Sequence, residues 1–149
     1  MHWRRAVSGV ALEARIVMIL HRFCSKEEFE AYQRGEVLVN ETNHSLHRGN
    51  ASTSIGFCFF VEDPDEAIHM LSGIVDLDYC ITVKVDESFV MKSTGRYGNR
   101  QLNAVEIRQE YCTTNYDNKR FRLVEATTKY STYAPNHRDL KKMFPFLFV

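Results

Sequence analysis

The sequence has no CxxC pair, no P-loop, no GxGxxG, no GxSxG and no HExxH. Those absences remove zinc ribbons, thioredoxin-like redox sites and the most readable nucleotide-binding, hydrolase and zinc-protease signatures. Net charge is also missing, because nineteen Lys and Arg balance nineteen Asp and Glu. The chain as a whole therefore lacks the basic footprint of a nonspecific nucleic-acid binder, while a local basic face stays compatible with the composition. No early apolar run is long enough for a bilayer, since Val10 to Leu20 is interrupted by Glu13 and Arg15. The four cysteines, Cys24, Cys58, Cys80 and Cys112, are 34, 22 and 32 residues apart and are read as reduced thiols. Sequons begin at Asn40, Asn43 and Asn50, but no apolar core followed by a small-residue cleavage site precedes them, so they are read as idle and the expectation is a cytoplasmic protein without membrane attachment.

What is present is an ordinary globular composition: 149 residues, 44% hydrophobic, 26% charged and 12% aromatic. A chain of this length buries roughly 68 to 70% of its unfolded surface around one core. Residues 1–17 differ from the rest and are read as an N-terminal extension, with Met18 as an alternative start and 18–149 as a single domain. The competing reading is a short docked helix, since Val7, Val10, Ala11 and Ala14 fall at helical spacing.

Ile19 to Phe23 reads as a first strand. Ser25 and Glu28 then form a capping box, Cys24 and Phe29 a hydrophobic staple, and Gly35 a helix stop. Glu36 to Val39 suggests a short strand, and Asn40 to Asn50 a polar loop. Ser52 to Phe60 suggests a strand with a bulge at Gly56. Asp63, Pro64 and Glu66 open a second helix that should end near Gly73. Tyr79, Ile81, Val83 and Val85 alternate with Cys80, Thr82 and Lys84 as a half-buried strand. Asp86 to Asn103 is mostly turn chemistry, and two further strands are expected around Ile107 to Thr114 and Phe121 to Thr127. The order predicts an α+β fold with a split, mostly antiparallel sheet and flanking helices.

Few residues carry obvious chemistry. His21, His44 and His47 lack a carboxylate or thiolate partner at ligand spacing, so no metal is expected. The cysteines sit in apolar or strand-like settings where thiols are commonly inert. More informative is an ordered set: His21 and Arg22 at the end of the first strand, Ser52, Thr53 and Ser54 opening a later one, and Glu110 in a late strand.

That order resembles the R-S-E, cholera-toxin-like class of ADP-ribosyltransferases, over about 90 residues from Arg22 to Glu110. The resemblance implies a cleft that takes NAD as substrate, with Glu110 and Ser52 catalytic and Arg22, His21, Thr53, Ser54 and Phe57 contacting the cofactor. Arg22 would hold an NAD phosphate or ribose, and Glu110 would stabilise the oxocarbenium-like transition state as nicotinamide leaves. Ser52 would orient that glutamate, and Phe57, Phe59 or Phe60 would wall the nicotinamide ring. His21 offers a second register, as in the histidine-containing branch of the superfamily; adjacent strand residues face opposite sides, so only one of the pair is expected in the cleft. The acceptor implied is a macromolecule, a protein or a nucleic acid. The family usually places Glu or Gln two residues before the catalytic glutamate, where this chain has Arg108, which leaves the acceptor and NAD glycohydrolysis open.

Two other readings stand beside it. One is a noncatalytic module that binds a partner protein through the Asn40 to Asn50 loop and the aromatic C-terminus. The other is a nucleic-acid-modifying protein, which needs Arg48, Arg96, Arg100 and Arg108 to form a basic rim. In the noncatalytic reading Arg22 is an exposed strand-end residue, and Ser52 and Ser54 merely satisfy turn amides.

Overall fold

A computed structural model describes residues 15–40, 56–93 and 110–134, together with the backbone of the two-residue strands at 96–97 and 100–101. Ser52, Thr53, Ser54, His44, His47, Arg48, Arg108, the helical pattern between Val7 and Ala14 and the aromatic C-terminus lie outside the described residues.

The first strand, β1 (Val17–Cys24), pairs along its whole length with β3 (Tyr79–Asp86), from Val17 opposite Asp86 to Cys24 opposite Tyr79. Six strands make an antiparallel sheet in the order β4 (Met91–Lys92), β7 (Glu110–Thr113), β2 (Cys58–Val61), β1, β3, β8 (Arg122–Thr127). A separate hairpin pairs β5 (Arg96–Tyr97) with β6 (Arg100–Gln101). The boundary expected between 17 and 18 falls inside β1, and the residues before it are tied to the sheet: Ile16 accepts the Glu87 amide at 2.9 Å and Arg15 bridges Asp86 at 2.7 Å.

Both helices among the described residues start where their caps are written. In α1 (Lys26–Gln33) Ser25 Oγ accepts from the Glu28 amide at 3.1 Å, and Gly35 takes φ +86° after the last turn. In α2 (Pro64–Leu71) Asp63 accepts from the Asp65 and Glu66 amides, with Pro64 in the first turn where its missing N–H costs nothing.

The helices cover opposite faces of the sheet. Phe29 and Tyr32 of α1 pack on Leu20, Phe60, Ile81 and Val83, while Ala67, Ile68 and Leu71 of α2 pack on Phe23, Val61 and Cys80. That two-sided cover alters the pattern expected for β3. Cys80 and Thr82 are buried along with Ile81 and Val83, and among the outward positions only Lys84 is exposed, beyond the reach of α2.

Two expected strands come out shorter. Glu36 to Val39 contributes one isolated bridge, Leu38 to Tyr116, leaving Val37 and Val39 more than half exposed. The strand expected from Ser52 begins, among the described residues, at Cys58; Gly56 lies before it at φ +85°, its amide bonded to the Asn40 carbonyl at 2.8 Å. Among the described residues no helix is long and apolar enough to cross a membrane.

All four cysteines are free and buried. Burial pushes the Cys24, Cys80 and Cys112 thiols up to about 12, and raises Cys58 as well. Thiolate, the reactive form, is therefore scarce at neutral pH. In the native protein at pH 8 these thiols are expected to resist Ellman's reagent for many minutes, and in denaturant to react within seconds; rapid native labelling would refute their burial.

Candidate functional site

β1 and β2 share a single register pair, His21 opposite Val61. Continuing that register would pair Arg22 with Phe60 and Cys24 with Cys58, but the ladder stops and the strands part. A cleft of about 70 Å³ opens between them, lined by His21, Arg22, Phe59, Val61, Glu28 and Glu110 among others. The lining draws on both sides of the sheet, with Glu28 from the α1 side and Leu71, Ile74 and Val75 from the α2 side, so neighbouring residues that point to opposite sides both reach it. His21 and Arg22 thus line one cleft, contrary to the expectation that alternation would admit only one.

The sheet register sets where each group points. His21, Val61 and Glu110 lie in one row across β1, β2 and β7. Thr82 extends that row on one side, and on the other the Ser93 amide bonds the Glu110 carbonyl at 3.1 Å. Arg22 alternates to the opposite face.

Glu110 is 2% exposed, and Ser93 Oγ donates to its Oε1 at 2.9 Å. A buried carboxylate needs such donors, because desolvation penalises its charge. Ser93 is therefore the described residue that orients Glu110, a part assigned from sequence to Ser52, which is outside the described residues. Its signal was the turn-rich stretch around residues 93 to 95, but nothing in that composition indicated a partner seventeen residues away.

Arg22 is not an exposed strand-end residue. Its side chain is 15% exposed, its Nε and Nη2 donate to the two oxygens of Glu28 at 2.6 and 3.1 Å, and Nη1 donates to the Phe59 carbonyl at 3.0 Å. Tyr116 donates its hydroxyl to Glu28, and the guanidinium lies 5.3 Å from the Tyr116 ring centroid and 5.7 Å from that of Phe60. Burial opposes the Arg22 charge, but Glu28, Tyr116 and Cys58 together outweigh it and the guanidinium is held even more firmly protonated than usual. Burial and Glu28 likewise push the Tyr116 hydroxyl upward. Sequence reading assigned Glu28 to capping and missed both its role here and that of Tyr116.

His21 is half-buried, with Nδ1 2.8 Å from Thr82 Oγ1. Burial lowers its pKa below 6.5, partly offset by Glu125, Asp63 and Asp65. A lowered value in the folded state means that the unfolded chain binds the proton more readily, so stability is present above 6.5 and is lost as pH falls through the folded value. Urea midpoints measured from pH 7.5 down to 5 should fall more steeply in wild type than in His21→Gln. Parallel curves would refute the assignment.

Phe57 is not part of the cleft. It is buried against Cys112, and its carbonyl accepts from Asn40 Nδ2 at 2.9 Å. Phe59, two residues on, lines the cleft instead, as does Phe23 of β1.

No protein-family model, curated protein or solved structure matches this chain.

Proposed function

We propose that the protein displaces nicotinamide from NAD and transfers ADP-ribose to a macromolecular acceptor. The observation that carries this reading is the buried carboxylate of Glu110, oriented by Ser93, on a cleft that also takes in Arg22 and His21. The order of these residues along the chain, with the Ser52 to Ser54 triplet between them, supports it further.

In this reaction the bond between nicotinamide N1 and ribose C1′ breaks, and its electron pair leaves with nicotinamide. Positive charge grows on C1′ and the ring oxygen, where a fixed carboxylate stabilises the transition state more than the ground state. The acceptor's lone pair then forms the new bond to C1′ and its proton is released to solvent. Phe59 supplies an apolar wall for the leaving ring. A cleft of about 70 Å³ is smaller than the roughly 300 to 1,000 Å³ that encloses a whole ligand. The reading therefore places only the nicotinamide end within it, with the phosphates toward Arg22.

Incubation with NAD labelled in the adenosine half tests the proposal, with nicotinamide release and macromolecule-bound label followed together. Release with transferred label is the expected result. Release with free ADP-ribose as the sole labelled product makes the protein an NAD glycohydrolase. Neither signal, and no saturable NAD binding, would overturn the proposal and leave the noncatalytic and nucleic-acid-modifying readings.

A further inference from the structure

Away from the cleft, the sheet face that α2 leaves open carries an unbalanced positive charge. The register sets Lys84 of β3 directly opposite Arg122 of β8, with the half-exposed Ile19 on the other side of Lys84. Like charges facing each other across strands destabilise a sheet. The chain is neutral overall, so the pair is a local concentration and not a sample of a basic protein.

Both residues line a groove of about 260 Å³ together with Arg15, Lys119 and Arg120. Arg15 is paired with Asp86 and Arg120 with Asp117, at 2.7 and 3.3 Å. Lys84, Lys119 and Arg122 have no acidic partner among the described residues. Phe89 adds an aromatic surface to the groove, 38% exposed and flanked by the Arg120 guanidinium at 5.6 Å from its centroid.

From this arrangement we infer that the groove binds single-stranded nucleic acid, with phosphates against Lys84, Lys119 and Arg122 and a base against Phe89. A basic groove that tracks a backbone, beside an aromatic on which bases stack, is the general chemistry of such binding. An acidic peptide would satisfy the cations but make no use of the part of Phe89 that stays exposed beside Arg120. None of the groove residues lines the cleft between β1 and β2, and the inference does not rest on the NAD reading.

Fluorescence anisotropy with an oligouridylate of about twelve nucleotides tests it, alongside an oligoglutamate peptide of similar charge. Saturable binding of the RNA is expected, and its logarithmic salt slope should be about −2, from three phosphate contacts at roughly 0.7 each. Arg122→Glu is the informative variant, because it sets an acid opposite Lys84 and relieves the repulsion. Its melting temperature should hold or rise while RNA affinity falls about tenfold or more and the slope shrinks by about one. Phe89→Ala should weaken RNA binding and leave the slope unchanged. No saturation by wild type at about 50 mM salt, equal affinity in Arg122→Glu, or tighter binding of oligoglutamate would each overturn the inference.

Discussion

Glu110→Gln is expected to lower nicotinamide release from NAD by about 10²-fold or more, because it removes one preorganised charge from the position where positive charge develops. The substitution keeps the shape, and the new amide oxygen can still accept from Ser93 Oγ. The folded state should therefore persist, with NAD affinity largely retained, so that the loss appears in kcat and not in KM. Ser93→Ala gives a graded control. It deletes the donor that fixes Glu110 but leaves the carboxylate, and should cost activity less than Glu110→Gln does. Activity of Glu110→Gln within about threefold of wild type would move the catalytic assignment elsewhere. Glu125, on β8 opposite Thr82, would be the next described carboxylate to test, although it does not line the cleft.

How much of this was readable in advance follows the range of each signal. Ser25, Gly35, Asp63 and Pro64 declared both helices because capping is local, settled within one turn by amides that have no other partner. The strand from Tyr79 was legible through alternation, but that pattern could not say that α2 would close over its second face and bury Cys80 and Thr82. The strands β4, β5 and β6 have two residues each, too few to carry any period. At the cleft, Arg22, His21 and Glu110 were singled out by their order in the chain, and all three line one opening. Glu28 was hidden because a carboxylate three residues past a serine already has a sufficient local explanation. Its bonds to Arg22 and Tyr116 depend on where β1 and β2 part and on a contact 88 residues away. The facing of Lys84 and Arg122 was likewise invisible, since it depends on a register shift between Thr82 and Val83.

The largest stability effect is expected from the Arg22–Glu28 pair. Both side chains are mostly buried, at 15% and 24% exposure, and they are joined through two nitrogens and two oxygens. Removing one partner of such a pair leaves the other charge desolvated, at a cost of 3–5 kcal/mol when burial is complete; partial exposure places Glu28→Gln near the lower end, at about 3 kcal/mol. That corresponds to a fall in melting temperature of roughly 6 to 12 °C for a chain of this size. Arg22→Lys keeps the charge but cannot reproduce the fork, and should cost less, about 1 to 2 kcal/mol. Urea titration of the three proteins gives these values, and a loss below about 1 kcal/mol for Glu28→Gln would mean that the pair behaves as an exposed one. The same two variants separate bracing from cofactor binding when NAD is titrated calorimetrically under conditions where all three remain folded. If Arg22 also holds a phosphate, Arg22→Lys weakens NAD binding while Glu28→Gln, which releases the guanidinium, leaves it equal or tighter. Equal NAD affinity in wild type and Arg22→Lys would confine the arginine to bracing the two strands where they part, and pass the contact with NAD to His21.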